Sequence, residues 1–133
     1  MQARSHGLRG EEGYYCDIVE VGEYKYYIQE LPDDGALQEY FALTSKIVEA
    51  EKARRSAPST EATTEVLKLY KERNDLVVTR GVTKWEGYGE TECVAANLLK
   101  LPSPNKAAIF RAVEKHSLLN YEEEDFSEPP PVQ

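Results

Sequence analysis

Long apolar runs are missing from this chain. No stretch approaches the roughly 20 consecutive apolar residues that a membrane-crossing helix needs, so no membrane partner is expected. Basic charge is also short: 16 Lys and Arg stand against 24 Asp and Glu, for a net charge of −8. Binding nucleic acid through its phosphates requires clustered cations, so nucleic acid is not an expected partner either. Cysteine is scarce. Cys16 and Cys93 are far apart in sequence, and Arg4 and Arg9 have no apolar stretch behind them to form a secretory signal. The expectation is two reduced thiols in a cytoplasmic protein.

Spacing excludes most site chemistry. His6, His116, Cys16 and Cys93 are isolated, with no C-x-x-C, no histidine pair at helical spacing and no calcium-type acidic loop, so no metal is expected. Gly87-Tyr88-Gly89 lacks the lysine of a phosphate loop and the third glycine of a dinucleotide site, and Glu86, Glu90 and Glu92 around it would repel phosphate. No cofactor is therefore expected. Adjacent Asp33 and Asp34 read as a helix cap, not as an acid/base pair. Cys93 in Thr-Glu-Cys-Val-Ala has no activating neighbour in sequence. A scattered enzyme site could still be drawn from Cys93, His116 and Glu90. The expectation is a protein without catalytic residues.

What is present suits one domain. The 133 residues are 41% hydrophobic and 30% charged, an ordinary globular composition. The charge is uneven. Residues 11–39 hold nine acids against Lys25 alone, residues 40–84 hold nine bases and six acids, and residues 120–133 hold five acids and no base. An acidic front, a mildly basic middle and an acidic end suit contacts with proteins better than contacts with polyanions.

Tyr14–Val21 and Tyr24–Ile28 are rich in β-branched and aromatic residues and flank Gly22-Glu23, the pattern of a hairpin. Asp17, Val19 and Val21 would share one face. Asp33 or Asp34 would cap a helix over 36–55 whose apolar stripe is Leu37, Tyr40, Phe41, Ile47 and Val48. The loop at 56–60 supplies the cap of a second helix, from Thr60 or Thr63 to about Val78, with Val66, Leu69, Tyr70 and Val77 inside and Arg73 interrupting. Helices joined this closely pack antiparallel. Val82, Lys84 and Trp85 read as semi-extended. A third helix over 92–100, capped by Thr91, stops at Leu101-Pro102. A fourth opens at Pro104 or Asn105, carries Ile109, Phe110, Val113 and Ser117 on one face, and leaves His116 near its C-terminal end. The fold class is thus α+β, mainly α: an N-terminal hairpin packed on about four helices. Residues 1–12 read as a flexible N-terminus, 13–119 as one α+β domain, and 120–133 as a disordered acidic, Pro-rich tail.

Tyr14, Tyr15, Tyr24, Tyr26 and Tyr27 crowd into the hairpin. Tyr offers apolar area with a polar tip and is enriched at protein interfaces, although cross-strand pairing alone can account for it. A lone hairpin leaves two open edges to which a partner strand can add. Self-association is therefore expected.

The order of parts carries a likeness. A hairpin with Gly22-Glu23-Tyr24 leads through Glu30-Leu31-Pro32 into an amphipathic helix. A second helix is followed by Val78-Thr-Arg-Gly-Val-Thr-Lys-Trp-Glu-Gly, then Leu98-Leu-Lys-Leu-Pro102, a closing helix and an acidic end. Over about residues 13–128 this resembles the tail assembly chaperones of long-tailed bacteriophages. The resemblance implies a non-enzymatic protein in the cytoplasm of the bacterial host, without cofactor. It would coat and solubilise the tape measure protein and recruit tail tube subunits. A frameshifted longer product occurs in some members. The charged segment 49–65 matches no feature of that family. Partner contacts would involve Tyr14, Tyr24, Tyr26, Trp85 and Phe110. The alternative is a small acidic inhibitor, from a phage or mobile element, that binds a host protein.

Overall fold

The computed structural model describes residues 13–125. Its elements are β1 (Asp17–Val21), β2 (Tyr24–Ile28), α1 (Ala36–Ser56), α2 (Thr60–Gly81), β3 (Val82–Glu86), α3 (Ala95–Leu98) and α4 (Ser103–Asp125). The α+β, mainly helical class holds. The expectations for residues 1–12 and for 126–133 lie outside the described residues, while α4 carries a helical backbone past Leu119 to Asp125.

The hairpin forms because Gly22 takes a left-handed φ of 61° and turns the chain in two residues, pairing Val21 with Tyr24. It is not alone. β3 pairs antiparallel with β2, giving a three-stranded sheet in the order β1-β2-β3. The Val82-Thr-Lys-Trp-Glu run, read from sequence as only semi-extended, is a full strand. β2 is therefore the centre of the sheet, and the open edges belong to β1 and β3. The register slips between Tyr27 and Ile28, where Val82 and Lys84 leave Thr83 unpaired. The Thr83 hydroxyl fills that gap by donating to the Tyr27 carbonyl at 3.1 Å.

Strand alternation sorts the side chains. Val19, Val21, Tyr24, Tyr26, Ile28, Val82 and Trp85 turn toward α2 and α4 and join the main core with Val77, Val78, Leu98, Leu101, Ile109 and Val113. Gly81 lets α2 and α4 meet: a Cβ there would lie 2.6 Å from a Val113 methyl.

α1 and α2 form an antiparallel pair, and α1 meets the rest of the molecule chiefly through α2. Their outer half has its own small core of Leu43, Ile47 and Leu69. Ser59 caps α2 by accepting from the Ala62 N–H at 3.0 Å.

Several local expectations are corrected. Neither Asp33 nor Asp34 caps α1: Gly35 occupies the cap without a side-chain bond, and Asp34 pairs with Arg80 at 2.8 Å. Val48 is not on the buried stripe but 47% exposed, because the seam of α1 runs through Ala36, Tyr40, Leu43 and Ile47. α3 spans only 95–98, with Val94 and not Thr91 at its cap. α4 opens at Ser103. His116 does not sit at a helix end. It lies inside α4 and pairs with Asp17 at 2.8 Å, tying the helix to the start of β1.

Candidate functional site

Tyr26 is the residue around which the sheet is built. It is 0% exposed, and its hydroxyl accepts from Asn105 Nδ2 at 2.7 Å and shares a short hydrogen bond with the Tyr88 hydroxyl. Tyr88, in the loop after β3, organises its neighbours. It stacks on Tyr24 with centroids 4.5 Å apart and packs on Trp85 at 4.1 Å. Trp85 Nε1 donates to the Thr91 carbonyl at 2.9 Å, which folds the 87–91 loop back on the sheet. Burial and the Tyr26 hydroxyl push the Tyr88 phenol well above its ordinary value. This cluster is a structural weld in which the polar tips of Tyr26, Tyr88 and Trp85 are satisfied.

The five aromatic residues expected to meet partners therefore divide. Tyr26 is corrected to core, and so is Tyr14, which is 4% exposed and donates toward Glu30. Neither presents a surface. Tyr24 and Trp85 are half-buried and share the Tyr88 cluster. Phe110 stands apart on α4, half-buried beneath the Arg73 guanidinium at 5.4 Å.

The open face of the sheet was missed by sequence reasoning, though strand alternation held the signal. It carries Ile18, Tyr27 and Lys84 and, beside them, the charged row Glu20, Lys25 and Glu86, all opposite in phase to Tyr26 and Trp85. Tyr15 meets Tyr27 edge-on at 5.0 Å, and Lys84 Nζ lies 4.6 Å over the Tyr27 ring. The Tyr27 hydroxyl donates to Glu86 at 2.6 Å, and this bond is the largest cause of a phenol pKa pushed up to about 12. No described helix packs on that face. β1 and β3 border it as edge strands, with Asp17 Oδ1 occupying the Ile18 N–H at 2.7 Å. That carboxylate blunts the first turn of the β1 edge.

Interrupting Arg73 in the α2 stripe has an explanation. Its guanidinium lies 5.4–5.6 Å from the centroids of Tyr40, Tyr70 and Phe110 and donates to Thr44 at 3.0 Å. Tyr40 in turn donates to Glu114, and burial with that carboxylate pushes its phenol up to about 12. α1, α2 and α4 meet at this charged and aromatic junction.

The thiol chemistry considered for Cys93 has no support in its surroundings. Cys93 packs against the main core, and burial pushes its thiol up to about 11, away from a reactive thiolate. His116 is engaged by Asp17. Among the described residues neither Cys16 nor Cys93 is in a disulfide. Among the described residues no three His, Cys, Asp or Glu side chains are grouped as a metal would need, and no helix is long and apolar enough to cross a membrane.

Two surfaces stand out among the described residues: the open sheet face around Tyr27 and the outer part of the α1–α2 pair. No protein-family model, no curated protein and no solved structure matches the chain.

Proposed function

We propose that this protein is a non-enzymatic binding factor, and specifically a tail assembly chaperone of the long-tailed phage type. It would hold the tape measure protein in solution and recruit tail tube subunits in the host cytoplasm. The observation that carries the reading is the sheet face bearing Tyr15, Ile18, Tyr27 and Lys84, flanked by edge strands β1 and β3, on which no described helix packs. Half-buried tyrosines beside a cation suit docking of an apolar, helical or strand-forming protein segment. The order of elements, from sheet through paired helices to a closing helix and an acidic end, supports the same reading.

Co-expression with the tape measure protein encoded nearest to this gene tests it. A soluble complex that Tyr27→Ser and Ile18→Ser together disrupt supports the proposal. A tape measure protein that pellets with or without this chain contradicts it, as does a gene neighbourhood without one.

A further inference from the structure

The α1–α2 pair carries a second surface, of different composition. Val48 is 47% exposed and Leu67 is 62% exposed. Each directly follows a buried seam residue, Ile47 on α1 and Val66 on α2. One residue along a helix is a turn of about 100°. In an antiparallel pair the two turns, each taken along its own chain direction, bring both side chains to the same side. The cross-helix bonds of Tyr70 to Glu51 at 3.2 Å and of Arg73 to Thr44 at 3.0 Å set the register. In that register Val48 and Leu67 stand within about one helical turn of the same height.

The neighbours of this pair are cationic. Lys52 and Arg55 follow Val48 at four and seven residues, and Lys71 follows Leu67 at four, so they lie on the same face. Lys52 and Lys71 have side chains 63% and 74% exposed and form surface ion pairs along their own helices, with Glu49 at 3.8 Å and with Asp75 at 2.8 Å; such exposed pairs are weak and open to exchange of partner. Only one carboxylate lies at helical spacing of three, four or seven from either apolar residue. It is Glu51, drawn into the seam by Arg54 at 2.6 Å and Tyr70. In a chain of net charge −8, Lys52, Arg55 and Lys71 at these spacings outnumber the one carboxylate there, and two of them are held only by exposed ion pairs with Glu49 and Asp75. A shallow depression lined by Pro58, Thr60 and Thr63 extends the face toward the tip.

We propose that this face receives the acidic C-terminal segment, about residues 119–128, of a second copy of the chain. The segment supplies what the face lacks: Leu119, Tyr121 and Phe126 among Glu122, Glu123, Glu124, Asp125 and Glu128, with no base. Leu119, where it begins, is 49% exposed. The direction of α4 selects a second copy. Its contacts step from Arg73 at Phe110, to Tyr40 at Glu114, to the Leu31 N–H at Ser117. α4 therefore runs away from the tip of the arm, and a chain's own end would have to double back to reach Val48 and Leu67. Two copies exchanging ends make a closed, isologous pair. This surface is separate from the open sheet face, so the pairing goes beyond the chaperone reading and stands or falls independently of it.

Photo-crosslinking of the full chain tests this. Leu67→p-benzoylphenylalanine protein is made light and heavy in isotope, mixed and irradiated. The expected product joins position 67 of one isotope to residues 119–133 of the other. Light scattering on the unmodified full chain is expected to show a concentration-dependent dimer. Leu67→Glu, an exposed change that leaves the core intact, should weaken that dimer about tenfold, and salt should weaken it further. Crosslinks only within one isotope would show docking on the same chain and overturn the second-copy assignment. Crosslinks to any other segment, or a monomer at every concentration, would overturn it as well.

Discussion

The root of this molecule, where the sheet meets α4 and the inner ends of α1 and α2, differs in construction from the arm formed by the outer halves of α1 and α2. The root buries Tyr26, Ile28, Val77, Val78, Ile109 and Val113 completely. Its buried polar residues are satisfied: Asn105 donates to Tyr26, and Ser117 both donates to the Val113 carbonyl and accepts from Leu31. The arm has only the small cluster of Leu43, Ile47 and Leu69 and leaves Arg54 Nε buried without an acceptor among the described residues, as Arg73 Nε is at the junction with the root. Orphaned buried donors cost stability, and a thin seam returns little. The root is built to stay closed. The arm is built to present a surface.

That contrast predicts unequal effects from equal truncations. Ile109→Ala in the root is expected to cost about 3–4 kcal/mol in chemical denaturation, while Leu69→Ala in the arm should cost about 2 kcal/mol. Equal losses would dissolve the comparison. Gly81→Ala should cost about 2 kcal/mol, because the added methyl meets Val113 where α2 and α4 touch. Asn105→Ala should cost about 1 kcal/mol, since it removes one of two hydrogen bonds to the buried Tyr26 hydroxyl. Ser59→Ala, at the tip of the arm, should cost about 1 kcal/mol through the lost cap and should speed exchange of the first amides of α2.

A pH test probes two places in the root by a different property. Tyr40, at the junction of α1 and α4, and Tyr27, on the open sheet face, both have phenol values pushed up to about 12. A raised phenol stabilises the neutral form in the fold. That contribution is present below about pH 10, where the unfolded chain is also neutral, and is lost as pH rises from about 10 to about 12. Absorbance titration should show late-ionising tyrosines. Glu86→Gln should bring the Tyr27 part of the curve back toward 10 while leaving Tyr40 in place.

Sequence made the arm more legible than the root. Helical spacing in 36–55 and 60–78 shows both helices, and the loop at 56–60 is read as the source of the second cap, which the structure seats on Ser59. β3 escapes because Val82-Thr-Lys-Trp-Glu follows α2 without a turn signal and depends on long-range pairing with β2. The burial of Tyr26 is set by Tyr88 and Asn105, distant partners that no local pattern connects to it. Tyr27 on the open face and Tyr26 beneath it differ by one strand position, so a count of tyrosines cannot separate them whereas the register does. Val48 falls off the stripe by one residue from Ile47, a difference that helical periodicity resolves only once the seam is located.

Native-state hydrogen exchange tests the contrast most directly. Amides of β2 and of Ile109–Ser117 are expected to exchange only by global opening. Amides of the outer α1 and α2, about residues 45–70, should open at distinctly lower free energy while the root stays closed. Uniform protection across both regions would contradict the division of the molecule into a closed root and a presenting arm.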